Sequence, residues 1–102
     1  MKMTFKNIAY QLSTNRYKTD FSQADFAVKL GYRNGQFISN IERGLCNLPP
    51  HLIVKASEIL QINPERMIDA MVKDYADSLN QEVKLQLPFY TLSERISPYG
   101  II

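Results

Sequence analysis

Hydrophobic residues recur at helical spacing from the start of the chain. Phe5, Ile8 and Leu12 are separated by three and four positions, which places them on one face of a helix. Thr4 is a suitable N-cap, because its hydroxyl can accept a backbone N–H of the first turn. The pattern therefore predicts a first helix over about residues 4–17.

A second helix is predicted over about residues 22–30 from the residues at its ends. Ser22 and Asp25 have the spacing of a capping box, in which each side chain bonds the backbone N–H of the other residue. Gly31 stands where a left-handed residue would end the helix. The inward face is predicted to consist of Phe26, Ala27 and Leu30.

A third helix is predicted over about residues 35–43. Asn34 can cap its start and Gly44 can end it. Its inward face is predicted to consist of Phe37, Ile38 and Ile41. Asn34-Gly35 is also compatible with a hairpin turn, but its flanks do not alternate between apolar and polar residues, so two short helices around a tight turn are favoured.

Two more helices are predicted after a rigid link at residues 47–50. The fourth helix is marked by Leu52, Ile53, Ala56, Ile59 and Leu60. The fifth begins with Asn63 as cap, Pro64 at the first helical position and Glu65 in the first turn. Its apolar positions continue to about residue 84 through Ile68, Met71 or Val72, Tyr75, Leu79 and Val83. The segment after it is rich in proline and apolar residues, and no regular structure is assigned to it.

Composition narrows the class of protein. The chain has 102 residues, of which 45% are hydrophobic and 22% charged, which is typical of one folded domain. Its apolar runs are far shorter than the ~20 residues of a membrane span, and its N-terminus lacks the apolar stretch of a secretory signal. We therefore expect a cytoplasmic protein with no membrane partner.

The chemistry-bearing residues are few. The chain has one cysteine, Cys46, and one histidine, His51, which excludes an internal disulfide and a multi-cysteine zinc module. No nucleophile, base and orienting group stand at workable spacing, so we expect no enzymatic activity, no metal and no cofactor. The net charge is +4 over residues 1–45 and −2 over residues 46–102, which favours an anionic partner for the N-terminal half.

Two strings carry a resemblance to a known family. Residues 22–31 read Ser-Gln-Ala-Asp-Phe-Ala-Val-Lys-Leu-Gly, and residues 38–44 read Ile-Ser-Asn-Ile-Glu-Arg-Gly. They resemble the helix-turn-helix regulators of the lambda-repressor-like, or xenobiotic-response-element (XRE), family. Gln23, Ala27 and Gly31 satisfy that family's spacing of a glutamine, a small residue and a glycine at intervals of four.

The resemblance implies an all-α, five-helix lambda-repressor-like DNA-binding domain over residues 1–74. Residues 75–102 would then form an extension of helix 5 and a C-terminal tail. The chain departs from the family's pattern in one respect, because Ile38 and Ile41 lie one position later than the usual inward-facing residues. This difference implies one extra residue in the turn between the second and third helices.

The resemblance also implies roles for individual residues. The third helix would enter the major groove of DNA. Helical periodicity places its polar residues on the side away from the core, where they could contact bases. The candidate base-contacting residues are Gln36, Ser39, Asn40 and Arg43. The candidate phosphate-contacting residues are Gln23, Lys18, Lys29, Arg33 and Asn34. Arg16 and Glu42 match a structural ion pair between the first and third helices.

We expect a transcriptional regulator, a repressor or autoregulator of prokaryotic or phage type, that reads a palindromic operator in double-stranded DNA as a homodimer. Tyr75, Leu79 and Val83 are the predicted dimerisation residues. Two alternatives stay open: an autorepressing antitoxin whose tail binds a partner protein, and a protein-interaction adaptor that does not bind DNA. The tail could also fold back onto its own domain.

Overall fold

The computed structural model describes residues 2–87, which contain five α-helices and no strand. The helices are α1 (Lys6–Tyr17), α2 (Gln23–Lys29), α3 (Gln36–Glu42), α4 (Ile53–Leu60) and α5 (Pro64–Gln86). A 3-10 helical turn, Pro50–Leu52, precedes α4. The all-α prediction is confirmed for this part of the chain. The predicted tail lies outside the described residues from Pro88 onward.

Helix α1 lies at the centre of the packing. It contacts α5 along one side and α3 along another, while α2 packs against α3 and α4 packs against α5. Every helix contributes apolar side chains to one core, because each has one apolar face that must leave water. The fully buried apolar side chains are Ile8, Leu12, Phe26, Ala27, Ile38, Ile41, Leu48, Ala56 and Met67.

Most helix ends form as their local sequence predicts. The Ser22 hydroxyl accepts the Asp25 N–H at 3.0 Å, and the Asp25 carboxylate accepts the Ser22 N–H at 3.2 Å, so the capping box is present. Gly31 and Gly44 have φ values of +97° and +77°, the left-handed backbone that glycine adopts without strain. At the start of α5, the Asn63 side chain accepts the Glu65 N–H.

The start of α1 differs from the prediction. Thr4 is not the N-cap: α1 begins at Lys6, and the Thr4 N–H donates to Ser78 Oγ on α5 at 2.9 Å. The N–H groups of Asn7 and Ile8 donate to the carboxylate of Asp74, at 2.8 and 3.0 Å. The first turn of α1 is therefore capped by a side chain of another helix.

Helix α5 is continuous across the predicted domain boundary. The division after residue 74 falls inside the helix, and Ser78, beyond that division, is buried against the N-terminal segment. The inward face consists of Met67, Ala70, Asp74 and Ser78, so two of its four members are polar. Within residues 2–87, no helix is long and apolar enough to cross a membrane.

Candidate functional site

Helices α2 and α3 meet at their N-terminal ends. A Cβ atom placed on Gly35, just before α3, would lie 2.9 Å from the Ala24 backbone nitrogen and 3.0 Å from the Gln23 carbonyl carbon. Only glycine fits between these backbones, because Cβ atoms in proteins essentially never lie within 3.0 Å of another heavy atom. The two helices and the turn between them are therefore held by direct backbone packing.

A buried ion pair joins α1 to α3, as the sequence predicts. Arg16 Nε and Nη2 donate to Glu42 Oε2 and Oε1 at 2.6 and 2.9 Å, and Arg16 Nη1 donates to the Phe21 carbonyl at 3.0 Å. The hydrogen bond to Glu42 raises the pKa of Arg16 above its ordinary value. The guanidinium is therefore charged at every pH at which the protein would be studied.

Gln23 takes part in the same network. Its amide Nε2 donates to Glu42 Oε1 at 3.0 Å, and its side chain is half-buried. The sequence assigned Gln23 to a DNA phosphate, whereas the structure uses its side-chain amide to tie α2 to the ion pair. Sequence reasoning missed this contact because Gln23 and Glu42 are nineteen residues apart and neither belongs to a local cap.

The outward face of α3 is polar. Gln36 and Arg43 are exposed and Ser39 and Asn40 are half-buried, while Ile38 is completely buried on the opposite side. Gln36 Nε2 donates to Asn40 Oδ1 at 2.9 Å, one helical turn away. The four predicted base-contacting residues therefore lie on one side of α3 and at its end, away from the core.

Two aromatic residues, Phe37 in α3 and Tyr32 in the turn before it, pack together. Phe37 faces the core as predicted, but it is only half-buried, and its ring stacks on that of Tyr32 with 4.5 Å between the ring centroids. Both residues pack against the edge of the core, so this stacked pair covers the turn that precedes α3.

The predicted phosphate-contacting residues other than Gln23 are all exposed. Arg33 and Asn34 lie in the turn before α3, and Asn34 Oδ1 accepts the Gln36 N–H at 3.0 Å. Lys29 ends α2, with its ammonium 4.7 Å from the centroid of the Phe21 ring. Lys18 follows α1 and lines a cleft of about 450 Å³ together with Phe21 and residues of the α4–α5 connection.

A stripe of exposed apolar side chains runs along α5. We define the α5 stripe as Ile68, Val72, Tyr75, Leu79 and Val83, which are 44, 61, 51, 42 and 46% exposed. Its first three members also line an apolar groove of about 400 Å³ together with Met3, Asn47, Ile53 and Met71. Sequence periodicity found these positions as the apolar side of helix 5. The structure exposes all five, including Tyr75, Leu79 and Val83, the residues that the sequence assigns to dimerisation.

No three His, Cys, Asp or Glu side chains converge as a metal site within residues 2–87. Comparison of the chain with models of protein families, with curated proteins and with solved structures gives no significant match.

Proposed function

We propose that this protein is a sequence-specific regulator that binds double-stranded DNA with a lambda-repressor-like domain. The observation that carries the proposal is the outward face of α3, where Gln36, Ser39, Asn40 and Arg43 form a polar surface on a helix whose other side is sealed in the core. The helix inserts this face into the major groove.

The side chains of this face match the chemistry of base edges. The major groove is about 12 Å wide and admits a helix, and all four base pairs present distinct patterns of donors and acceptors there. The amides of Gln36 and Asn40 suit adenine, and Arg43 suits guanine or a phosphate. The tight contact between Gly35 and the α2 backbone supports the proposal, because a reading helix must be fixed relative to the helix that crosses the DNA backbone.

Exposed basic side chains next to α3 position it on the DNA. Lys29 ends α2 and Arg33 lies in the turn before α3, and residues 1–45 carry a net charge of +4. Contacts of this kind release counterions, so affinity falls as salt rises, by about 10³- to 10⁵-fold between about 50 and 200 mM for about six to ten phosphate contacts. Such contacts set register without reading sequence.

The protein binds its DNA site as a dimer, in which the two copies of the chain contact each other through the α5 stripe. One recognition helix spans too few base pairs for selective binding, and two-fold dimers solve this by placing two helices about one helical turn of DNA apart. The stripe is uncharged over four helical turns, and the groove beside Ile68 and Tyr75 provides room for side chains of the second copy. An isologous contact uses the same patch on both chains.

The proposal is tested by NMR titration of the isotope-labelled chain with a mixed-sequence DNA duplex at low salt. Amide shifts are expected in residues 23–43, which include α2, the turn and α3, and they should weaken as salt is added. Arg33→Ala should reduce binding, whereas the matched control Arg66→Ala, an exposed arginine on α5, should not. Shifts confined to α5, or no shifts, would contradict the proposal.

A further inference from the structure

The cleft that Lys18 lines, with a volume of about 450 Å³, lies between the α1–α2 connection and the α4–α5 connection. We call it the Lys18 cleft. Its lining residues fall within two stretches of the chain, residues 15–21 and 59–66, and include none from α3 or from the α5 stripe. Small-molecule sites in proteins usually have volumes of about 300 to 1,000 Å³, so the Lys18 cleft is large enough to hold a small ligand.

Part of the lining of the Lys18 cleft is apolar. Phe21, Ile59 and Ile62 line it, and all three are half-buried residues that pack against the edge of the core. Helix α4 ends at Gln61, whose φ of +59° is left-handed and reverses the direction of the chain. Ile59 before this reversal and Ile62 after it therefore line the same cleft. An apolar group bound there would shield these side chains further from water, which is favourable.

The charged residues of the Lys18 cleft are both basic. Lys18 and Arg66 line it and are exposed, and neither forms an ion pair with another residue of the described part of the chain. Among residues 2–87, no Asp or Glu lines the cleft. Two cations without a neighbouring acid attract an anion, and a guanidinium and an ammonium both bind carboxylates through charge-assisted hydrogen bonds.

Asn15 adds a buried acceptor to the Lys18 cleft. This residue lines the cleft although it is only 2% exposed. Its Nδ2 donates to the Gln11 carbonyl at 2.7 Å and to Gln11 Oε1 at 3.1 Å, so both amide hydrogens are used and Oδ1 is left to accept from a ligand. A DNA backbone binds exposed cations and does not reach a side chain at this depth. The combination of buried amide, apolar lining and cations therefore favours a small molecule over a DNA phosphate.

We propose that the Lys18 cleft binds a small organic acid that has a carboxylate, an apolar body and a hydrogen-bond donor. The carboxylate pairs with Lys18 and Arg66, the apolar body packs on Phe21 and the isoleucines, and the donor bonds Asn15 Oδ1. The body can be as large as a six-membered ring, because a protein cavity of about 150 Å³ already holds benzene. This inference goes beyond the proposed function and does not depend on it.

The experiment titrates the isotope-labelled full chain with para-hydroxyphenylacetate and follows amide shifts by NMR. Shifts are expected at residues 15–21 and 59–66, and not at residues 36–43 of α3. Phenylacetate, which lacks the hydroxyl donor, should bind about two- to tenfold more weakly. Phenylacetamide, which lacks the charge, should bind about tenfold or more weakly than phenylacetate.

Three variants assign the contacts to individual residues. Lys18→Gln and Arg66→Gln should each weaken phenylacetate binding by about threefold and leave phenylacetamide binding unchanged, because only the charge contact is lost. Asn15→Ala should remove the preference for the hydroxyl. If Asn15→Ala does not fold, the wild-type comparison of the two acids still tests the contact. The matched control is Lys55→Gln, an exposed lysine on α4 that does not line the cleft and should change nothing.

Three outcomes would overturn the inference. The first is that millimolar para-hydroxyphenylacetate shifts no amide of residues 15–21 and 59–66 in the folded wild-type chain. The second is that inorganic phosphate, which has no apolar body, binds as tightly as phenylacetate, since the cleft would then only attract anions. The third is that Lys18→Gln and Arg66→Gln weaken binding to a DNA duplex but not to phenylacetate, which would assign both cations to DNA phosphates.

Discussion

At the scale of single residues, Glu42 connects three helices. Its carboxylate accepts hydrogen bonds from Arg16 on α1 and from Gln23 on α2, and Glu42 is itself the last residue of α3. The charges of the ion pair are almost completely shielded from water, with side chains 6% exposed on both partners. A buried pair of this kind is costly to break, because the remaining charge has no partner.

Replacement of Glu42 by alanine is therefore expected to lower the free energy of unfolding by about 3 to 5 kcal/mol, since Arg16 would be left charged and buried. Urea denaturation followed by circular dichroism measures the loss. Glu58→Ala, at an exposed position on α4, serves as the control and should stay within about 0.5 kcal/mol of wild type. A loss for Glu42→Ala no larger than that of the control would show that the pair does not hold the helices together.

Gly35 and Gly31 need glycine for different reasons, and this gives a second prediction. Gly35→Ala places a Cβ 2.9 Å from the Ala24 nitrogen, so α2 and α3 must move apart, at a cost of about 1 to 3 kcal/mol. Gly31→Ala meets no atom within 4 Å and costs only the strain of its positive φ, about 1 to 2 kcal/mol.

The two variants differ in their effect on DNA binding. Gly35→Ala should weaken binding beyond its effect on folding, because it displaces α3, the proposed recognition helix, whereas Gly31→Ala should affect mainly stability. Thermal unfolding and anisotropy on the same samples separate the two effects. Equal losses of affinity in both variants would count against the close packing at Gly35 as a determinant of the site.

At the scale of elements, helix ends that depend on neighbours in sequence were predicted correctly, whereas a helix end that depends on a distant residue was not. The capping box at Ser22, the proline start of α5 and the two left-handed glycines involve neighbours in sequence, and these predictions are confirmed. The prediction that Thr4 caps α1 is wrong. The residue that accepts the first N–H groups of α1 is Asp74, which lies more than sixty residues away on α5, and no local pattern could reveal it. The sequence could place the ends of most helices but not the contacts between them.

The buried side of α5 could not be found from the sequence for a related reason. Apolar periodicity identifies Ile68, Val72 and Tyr75 as one stripe, whereas the side of α5 that the structure buries includes the polar residues Asp74 and Ser78. These polar residues are inside because they satisfy backbone N–H groups of the α1 start, which apolar side chains cannot do. The outward face of α3 could be predicted from helical periodicity alone, and the structure has these residues on the side away from the core.

Asp74 is expected to be the side chain that secures α1. It is 1% exposed and accepts the N–H groups of Asn7 and Ile8, so Asp74→Ala should lower the free energy of unfolding by about 2 to 3 kcal/mol. Hydrogen exchange of these two amides should accelerate at the same time. The control is Asp69→Ala, an exposed acid on the same helix. Unchanged exchange at Asn7 and Ile8 would contradict the capping role.

At the scale of the whole molecule, the surface proposed to read DNA and the surface proposed for association lie on different helices. The outward face of α3 lies on a helix packed against α1 and α2, whereas the α5 stripe lies on a helix packed against α1 and α4. Helix α5 is about 35 Å long, and its last eight residues, from Leu79, include no buried side chain. The proposed association through α5 therefore leaves the proposed recognition helix of each copy uncovered.

Charges placed in the α5 stripe should separate the copies. In the double variant Leu79→Glu, Val83→Glu, carboxylates would face each other across the proposed two-fold contact, so sedimentation should show a monomer, whereas the wild-type chain is expected to be a dimer. The helical circular dichroism should be retained, because both residues are exposed. Val54→Glu, at an apolar position of α4 that is 59% exposed, is the control and should remain dimeric. A wild-type monomer at micromolar concentration would contradict the proposed association.

The measurement that tests the central claim most directly is selection of duplexes from a random library by the purified full chain, at two salt concentrations. We expect an enriched palindrome whose half-sites are about one helical turn apart, with affinity that falls steeply as salt rises. Failure of a folded wild-type chain to enrich any sequence at either salt concentration would contradict it.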